Sequence, residues 1–299
     1  MPELPEVESL ARDLAPTVVG RTICRVEVLK PKLFKPVPGL SLDDLNGRRI
    51  ERLWRRGKFL LWELSGGLVL VMHLKLAGQL VHLAADGHEL AHGGHPVPKW
   101  GAPLPHKSTH VTFWLDDGSI LYLTDIRQFA RLTLLPETEL AAFLKKQKLG
   151  PEPLTRKFTG RELFAKLQRR SIPLKTALLD QSVVGGIGNI YADESLWRAQ
   201  LAPTRPANSL SEAEVGRLHR AIRAVLDYAI REGVAFVPQG RAISDRDFPY
   251  AHGRAGSACP RCGTVLQKEW VGGRGTHFCP RCQPLAPRAP SRAKVVEHA

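Results

Sequence analysis

Four cysteines near the C-terminus have the spacing of a metal site. They form two Cys-Pro-Arg-Cys pairs, Cys259/Cys262 and Cys279/Cys282, with 16 residues between the pairs. This spacing is typical of a zinc ribbon, in which each pair contributes two thiolates to one tetrahedral ion. Four thiolates leave no coordination position for water, so we predict one structural Zn²⁺. The fifth cysteine, Cys24, has no partner and is predicted to be a small buried apolar residue.

The N-terminus offers a nucleophile and an acid. Removal of Met1 exposes the secondary amine of Pro2, and a terminal amine has a pKa of roughly 7.7–8.0 against about 10.4 for lysine. Such an amine condenses with an aldehyde-level carbon to a cationic iminium, which acidifies the adjacent C–H bond. Glu3 stands beside it as a general acid or base. The alternative is structural, because proline and acidic residues are ordinary in the first turn of a helix.

Two further segments could bind phosphate. Residues 180–194 read DQSVVGGIGNIYADE, with a glycine-rich turn and Asn189 between two helical stretches, and backbone N–H groups at such a turn can hold an anion. The same pattern also fits any tight turn between helices. Lys58 opens a strand within the basic stretch RRGK, where it is either a functional cation or a solvated strand end.

The elements that must position these residues divide the chain. Between residues 40 and 135, short apolar or alternating runs separated by turn signals predict antiparallel hairpins packed as a sandwich or barrel. The predicted strands cover 58–64, 68–74, 110–115, 120–123 and 131–135. An amphipathic helix is predicted from Glu3 to Leu14. The segment from Asp86 to Lys107, which is rich in Gly, Pro and His, is predicted to be a mobile surface loop without function.

The second half has a helical pattern. Helices are predicted over 160–168, 175–179, 192–199 and 211–232, the last with Ser211 as N-cap and Glu214 three residues on. We therefore divide the chain into an N-terminal β-sandwich domain (1–145), a helical domain (146–256), a zinc ribbon (257–283) and a disordered tail (284–299). The fold class is α+β, multidomain.

The charge balance limits the classes of molecule that the protein is expected to bind. The 299 residues include 43 Lys and Arg against 29 Asp and Glu, a formal net charge of +14. No apolar run is long enough to span a membrane, and the acidic start MPELPEVE is unlike a signal peptide. Paired cysteines at metal spacing argue against a secreted disulfide framework. A basic, zinc-bearing, cytosolic chain points to nucleic acid.

Several motifs together resemble the bacterial formamidopyrimidine-DNA glycosylase family. They are MPELPEVE, RRGKFLLWEL, LTDIRQF, DQSVVGGIGNIYADESLW and the four-Cys ribbon ending GRGTHFCPRC, and they occur in the family's order over nearly the whole chain. The resemblance implies a β-sandwich with flanking helices, a helix–two-turn–helix domain and a zinc ribbon, with DNA in the cleft between them. The expected partner is duplex DNA with oxidised bases or abasic sites, bound by a monomer.

The implied reaction is base excision followed by strand cleavage. An oxidised purine, such as 8-oxoguanine or a formamidopyrimidine, is flipped out of the duplex because its glycosidic carbon cannot be reached in the stack. By resemblance, Pro2 forms the Schiff base and Glu3 protonates the opening sugar. Lys58 is then the proton donor for β-elimination, and Arg274, in the ribbon hairpin, the donor for δ-elimination.

The resemblance also implies residues that grip the DNA. Leu76, Arg127 and Phe129 would fill the space left by the flipped base, and Asn189 would hold the backbone beside the lesion. Arg170 matches a backbone-contacting position, and His110 matches a strand start that contains histidine.

The sequence departs from the family pattern at several positions. Lys75 replaces a glycine, Leu76 replaces the usual methionine, and Ser108 stands where a phosphate-contacting histidine is common. The segment from Gly233 to His252, where the family folds a loop over the purine, is atypical. These departures concern contacts with the DNA and the flipped base, and they leave the predicted reaction unchanged.

Two alternatives remain open at this stage. One is an endonuclease VIII-like glycosylase for oxidised pyrimidines, against which Leu4 argues, because that group typically has glycine there. The other is a non-enzymatic zinc-ribbon DNA-binding protein, which explains the charge and the cysteines but gives Pro2, Glu3, Lys58 and Asn189 no purpose. In each case we expect a bacterial cytoplasmic protein associated with the nucleoid.

Overall fold

The computed structural model describes residues 2–232 and 248–285. Met1, most of the atypical segment (233–247) and the tail beyond residue 285 lie outside the described residues, as does most of the predicted disorder from 284 onward. In the described part, one α-helix is followed by nine strands, then by five α-helices and finally by two strands, with three short 3-10 helices between them.

The N-terminal region begins with a helix and continues as two antiparallel sheets. Helix α1 covers Leu4–Val18, four residues longer than predicted at its C-terminal end. The strands of this region are β1 (Ile23–Val28), β2 (Ile50–Arg56), β3 (Phe59–Leu64), β4 (Leu68–His73), β5 (Gly78–Leu83), β6 (Glu89–Gly94), β7 (Thr109–Leu115), β8 (Ile120–Asp125) and β9 (Arg131–Pro136). One sheet has the order β1-β7-β8-β5-β6 and the other β2-β3-β4-β9. The predicted sandwich is confirmed.

Apolar side chains of both sheets meet in the sandwich core. Trp62 of β3 and Phe113 of β7 are fully buried and stack at 5.7 Å between ring centroids. The two predicted hairpins, β3–β4 and β7–β8, pair as expected from their Gly-containing turns. Helix α1 packs against β2 and β6 with its apolar stripe, including Leu10 and Leu14, in the core.

The prediction for residues 86–107 was wrong in part, because this segment contains strand β6. Its residues pair with β5, from Gln79 opposite Gly94 to Leu83 opposite Glu89. The glycines that suggested a loop are needed here, since a Cβ on Gly93 would lie 2.8 Å from the Leu10 Cβ on α1. The glycine-rich composition of this segment suggested flexibility, but the glycine is present because α1 packs closely on β6.

The prediction that Cys24 is buried was also wrong. Cys24 is exposed on β1, an edge strand of the five-stranded sheet. The register shifts between Ile23 and Arg25, so Ile23 and Val26 face the core while Cys24 points outward.

The second half is helical, and its chain then forms the ribbon. Its helices are α2 (Glu137–Lys146), α3 (Gly160–Leu167), α4 (Leu174–Leu179), α5 (Asn189–Ala199) and α6 (Glu212–Arg231). The capping box of Ser211 and Glu214 on α6 is present as predicted. A separate apolar core fills the space among α3–α6. The ribbon hairpin consists of β10 (Gln267–Val271) and β11 (Arg274–Phe278).

Candidate active site and zinc site

A cleft of about 340 Å³ lies where the sandwich, the helical region and the ribbon hairpin meet. Lys58 lies beside the start of β3, Asn189 begins α5, and Arg274 begins β11. Residues from all three regions line this cleft: Lys58, Phe59, His73, Lys75, Gln147, Leu149, Leu179, Gln181, Ile187, Gly188, Asn189 and Arg274. The structure thus brings together three of the predicted site residues from positions far apart in the sequence.

The carboxylate of Glu3 is held at the N-terminus of α5. It accepts hydrogen bonds from the backbone N–H groups of Gly188 (2.7 Å), Ile190 (3.0 Å) and Tyr191 (3.4 Å). The sequence left open whether these donors bind a phosphate or only form a turn between helices, and in the structure these three bind the protein's own carboxylate. The helix N-terminus favours this negative charge as it would favour a phosphate.

Two glycines of the turn are required by this packing. A Cβ on Gly188 would lie 2.3 Å from Glu3 Cδ, and one on Gly186 would lie 2.6 Å from Leu4 Cδ1. The Leu4 N–H also donates to the Gly186 carbonyl at 3.0 Å. The start of α1 and the two residues before it, buried Pro2 and Glu3, are therefore docked on the glycine-rich turn beside the cleft.

Glu6 holds the backbone of Glu3 in place, and its role was not predicted from the sequence. Its carboxylate accepts the Glu3 backbone N–H at 2.8 Å and the Tyr191 hydroxyl at 2.7 Å. Burial and the neighbouring Glu3 charge raise the pKa of Glu6 to about 7. The spacing of Glu6 three residues after the N-cap Glu3 matches a capping box, which was the available signal.

Lys58 is buried next to these acids. Burial lowers the pKa of its ammonium group, while the charges of Glu3 and Glu6 oppose that shift. The backbone beside it is held by Glu152, which lies between α2 and α3 and accepts hydrogen bonds from Arg55 (2.7 Å), Arg56 (3.0 Å) and the Gly57 N–H (2.9 Å). A lysine with a lowered pKa is suited to transferring a proton near neutral pH.

Arg274 is brought to the cleft by a two-residue turn. Gly272 and Gly273 both have positive φ (57° and 74°), as a tight hairpin turn requires. The Gly275 carbonyl accepts hydrogen bonds from Asn189 Nδ2 (3.0 Å) and from the ammonium group of Lys175 (2.9 Å). The ribbon hairpin is thus fixed to the start of α5.

Lys175 was also missed, because its place in a short apolar helix suggested nothing beyond packing. It is fully buried, and its Nζ lies 2.7 Å from Asp193 Oδ1 and 2.9 Å from Thr276 Oγ1. Burial lowers the pKa of Lys175, and Asp193 opposes that shift. Breaking such a pair would leave an uncompensated buried charge.

A second group of predicted residues lies along one end of the five-stranded sheet. Asp125 ends β8, and its carboxylate accepts the backbone N–H groups of Arg127 (2.9 Å), Phe129 (2.7 Å) and Ala130 (2.7 Å). The Arg127 guanidinium lies 5.0 Å from the Phe129 ring centroid. Phe129 is 42% exposed, so it is available to a ligand. Leu76 lies half-buried in the turn between β4 and β5. Because β5 pairs with β8, this turn lies at the same end of the sheet as Asp125.

Two predicted residues make internal contacts. His110 is buried, its Nε2 lies 3.1 Å from the Asp125 carbonyl, and burial lowers its pKa. Arg170 donates to Asp180 (2.8 Å), to the Ser182 hydroxyl (2.9 Å) and to the Lys166 carbonyl (3.0 Å). Arg170 thus holds the segment that carries the cleft residues Leu179 and Gln181, and His110 holds the end of β8. Their contact with DNA stays a prediction.

The four ribbon cysteines form a closed cluster that fits zinc. Sγ–Sγ distances are 4.0 Å for Cys259–Cys282, 3.5 Å for Cys262–Cys279 and 3.4 Å for Cys262–Cys282. Tetrahedral zinc with bonds of about 2.3 Å sets sulfurs about 3.8 Å apart, within this range. The Trp197 indole N–H donates to Cys259 Sγ at 3.5 Å, as an outer-shell partner of a metal-bound thiolate does.

Comparisons with known proteins agree over nearly the whole chain. The family described as "Formamidopyrimidine-DNA glycosylase N-terminal domain" matches residues 1–132, and "Formamidopyrimidine-DNA glycosylase H2TH domain" matches residues 149–238. "Zinc finger found in FPG and IleRS" matches residues 256–285. A formamidopyrimidine-DNA glycosylase of Heliobacterium modesticaldum is 44% identical over 289 residues, covering 95% of this chain and 100% of the relative.

Solved structures of similar fold contain DNA. The Lactococcus lactis Fpg in complex with abasic-site DNA has a TM-score of 0.80 and 33% identity, covering 94% of this chain and 99% of that one. The Lactococcus lactis Fpg (MutM) in complex with DNA containing Fapy-dG has a TM-score of 0.81 and 32% identity, covering 94% and 100%. Within residues 2–232 and 248–285, no helix has the length and apolar character to cross a membrane.

Proposed function

The chain belongs to the formamidopyrimidine-DNA glycosylase family, and we propose that it excises oxidised purines from duplex DNA and then cuts the strand at the resulting abasic site. The observation that carries the proposal is the fixed Glu3 carboxylate, next to buried Pro2 and beside a cleft lined by Lys58, Asn189 and Arg274. The DNA complexes of the Lactococcus lactis relatives support the choice of substrate.

The first step uses the N-terminal residues. After removal of Met1, the neutral Pro2 amine attacks C1′ of the flipped nucleotide, the bond between C1′ and the base breaks, and the base leaves with the bonding electron pair and takes a proton from solvent. The proton that the amine loses passes to the Glu3 carboxylate. Glu3 protonates the sugar oxygen as the ring opens, which leaves an iminium linking Pro2 to the sugar. Because three backbone N–H groups and the Glu6–Tyr191 pair fix Glu3, its carboxyl group needs little reorganisation during this step.

The later steps use the cations. The iminium acidifies the adjacent sugar C2′–H bond, the Glu3 carboxylate accepts that proton, and the 3′ phosphate leaves from C3′. Lys58 donates the proton for this β-elimination, and Arg274 serves the δ-elimination that expels the 5′ phosphate. The planar guanidinium group of Arg274 is suited to bidentate contact with a phosphate. Asn189 holds the DNA backbone beside the lesion.

The surface at the end of the five-stranded sheet serves recognition. Leu76, Arg127 and Phe129 enter the space that the flipped base leaves, with Phe129 as a wedge and Arg127 facing the widowed base. Asp125 holds this loop in shape through three backbone hydrogen bonds. His110 and Arg170 complete the set of residues proposed to contact the DNA.

The four cysteines hold the zinc, which shapes the ribbon and takes no part in a chemical step. We divide the chain into domains at 1–145, 146–256 and 257–283. The parts of one chain line the cleft together, which supports action as a monomer. The location is the bacterial cytoplasm, at the nucleoid, where the substrate is found.

The test compares two duplexes under single-turnover conditions. One carries 8-oxoguanine opposite cytosine and the other carries an oxidised pyrimidine. We expect faster excision of the purine, followed by strand cleavage. Faster excision of the pyrimidine would instead identify an endonuclease VIII-like enzyme, and tight binding without excision of either would identify a non-enzymatic DNA-binding protein.

A further inference from the structure

Lys75 has a backbone conformation that lysine adopts rarely. It lies in the turn between β4 and β5 with φ of +54°, in the left-handed region that favours glycine. Its backbone N–H donates to His73 Nδ1 at 2.9 Å. Burial, together with the charges of Lys75 and Lys58, lowers the pKa of His73 to about 3, so the ring is neutral and can accept this bond. Glycine would make the same turn without the conformational cost.

The side chain of Lys75 is an exposed cation in the cleft. Lys75 lines the cleft with Lys58, Asn189 and Arg274. No carboxylate forms an ion pair with Lys75 within the part of the chain that the structure describes. The positive charges in this cleft repel one another, which destabilises the protein when no ligand is bound. The same charges attract a polyanion.

We propose that Lys75 is an additional phosphate-binding residue, which holds one phosphate of the DNA strand in the cleft. The inference rests on the proposed function, because it takes DNA as the ligand. Leu76 follows Lys75 in the same turn, so a phosphate held by Lys75 fixes how far Leu76 enters the duplex. Lys75 then sets the register of the strand through the backbone and reads no sequence.

The experiment measures binding of a duplex with a stable tetrahydrofuran abasic-site analogue as a function of salt concentration. Lys75→Gly should weaken binding about 10-fold at low salt and reduce the slope of log K against log salt by about 0.9, the contribution of one phosphate. The same variant should raise Tm, because glycine removes the left-handed strain. Lys75→Arg should retain the affinity and the slope, and Lys75→Met should lose both.

Lys148 provides a matched control. It has φ of +51°, carries the same charge and is exposed, but does not line the cleft. Lys148→Gly should raise Tm similarly and change the affinity less than 2-fold. Equal losses in the two glycine variants, or an unchanged salt slope in Lys75→Gly, would overturn the inference while excision by the parent protein still supported the proposed function. If the parent neither bound nor cut the DNA, the proposed function itself would fail.

Discussion

Gly188→Ala tests whether the position of Glu3 controls catalysis. An alanine Cβ would lie 2.3 Å from Glu3 Cδ, whereas an ordinary contact is about 3.5 Å, so the two atoms must separate by about 1.2 Å. A shift of that size lengthens the 2.7 Å bond from the Gly188 N–H beyond hydrogen-bond range. A misplacement of about 1 Å at a reacting group can cost about 10²-fold in rate.

The assay is single-turnover excision of 8-oxoguanine, with DNA affinity measured separately. We expect Gly188→Ala to lower the excision rate about 100-fold and to change affinity for the tetrahydrofuran duplex little, because Glu3 is 2% exposed. Gly216→Ala on α6 is the control, since the nearest atom to its Cβ would be 3.7 Å away, and the change should favour the helix. Excision by Gly188→Ala at the parent rate would refute the reasoning.

Two further predictions concern Glu6 and the zinc site. The pKa of Glu6 is raised from 4.5 to about 7, so the folded state binds this proton more tightly than the unfolded state does. As the pH rises from 4.5 through 7, Glu6 therefore loses up to about 3 kcal/mol of its contribution to the free energy of unfolding. Glu6→Gln should therefore gain stability relative to the parent over this range in denaturant titrations, and a pH-independent difference would contradict the raised pKa. Cys259→Ser should lose zinc and DNA affinity together, as measured by metal content and by titration with the tetrahydrofuran duplex; a metal-free variant that binds like the parent would show that the ribbon is dispensable.

The sequence predicted the architecture where the pattern was regular. Short apolar runs in β3, β4, β7 and β8, separated by Gly-containing turns, indicated hairpins because both signals are local, and these strands are buried over nearly their whole length. The prediction failed for β6, where Gly93 and Gly94 are set by packing against α1 and pairing with β5. It omitted α2, whose ten residues contain no fully buried side chain and so carry a weak apolar pattern.

The candidate site was predictable in its residue types and less so in its contacts. The spacing of the cysteines identified the metal site, and the resemblance to a known family singled out Pro2, Glu3 and Lys58, whose residue types alone also fit a structural role. The contact between Glu3 and Gly188 joins residues 185 apart, and no local pattern reports it. The same reason hid Lys175, whose partners Gly275 and Thr276 lie about a hundred residues away.

Borohydride trapping tests the central claim most directly. The protein is mixed with a duplex carrying 8-oxoguanine opposite cytosine and reduced, and the cross-linked peptide is identified by mass spectrometry. We predict a covalent complex through the amine of Pro2 that is abolished when any residue precedes Pro2. Trapping by the extended protein, or a cross-link on a lysine such as Lys58, would contradict the account.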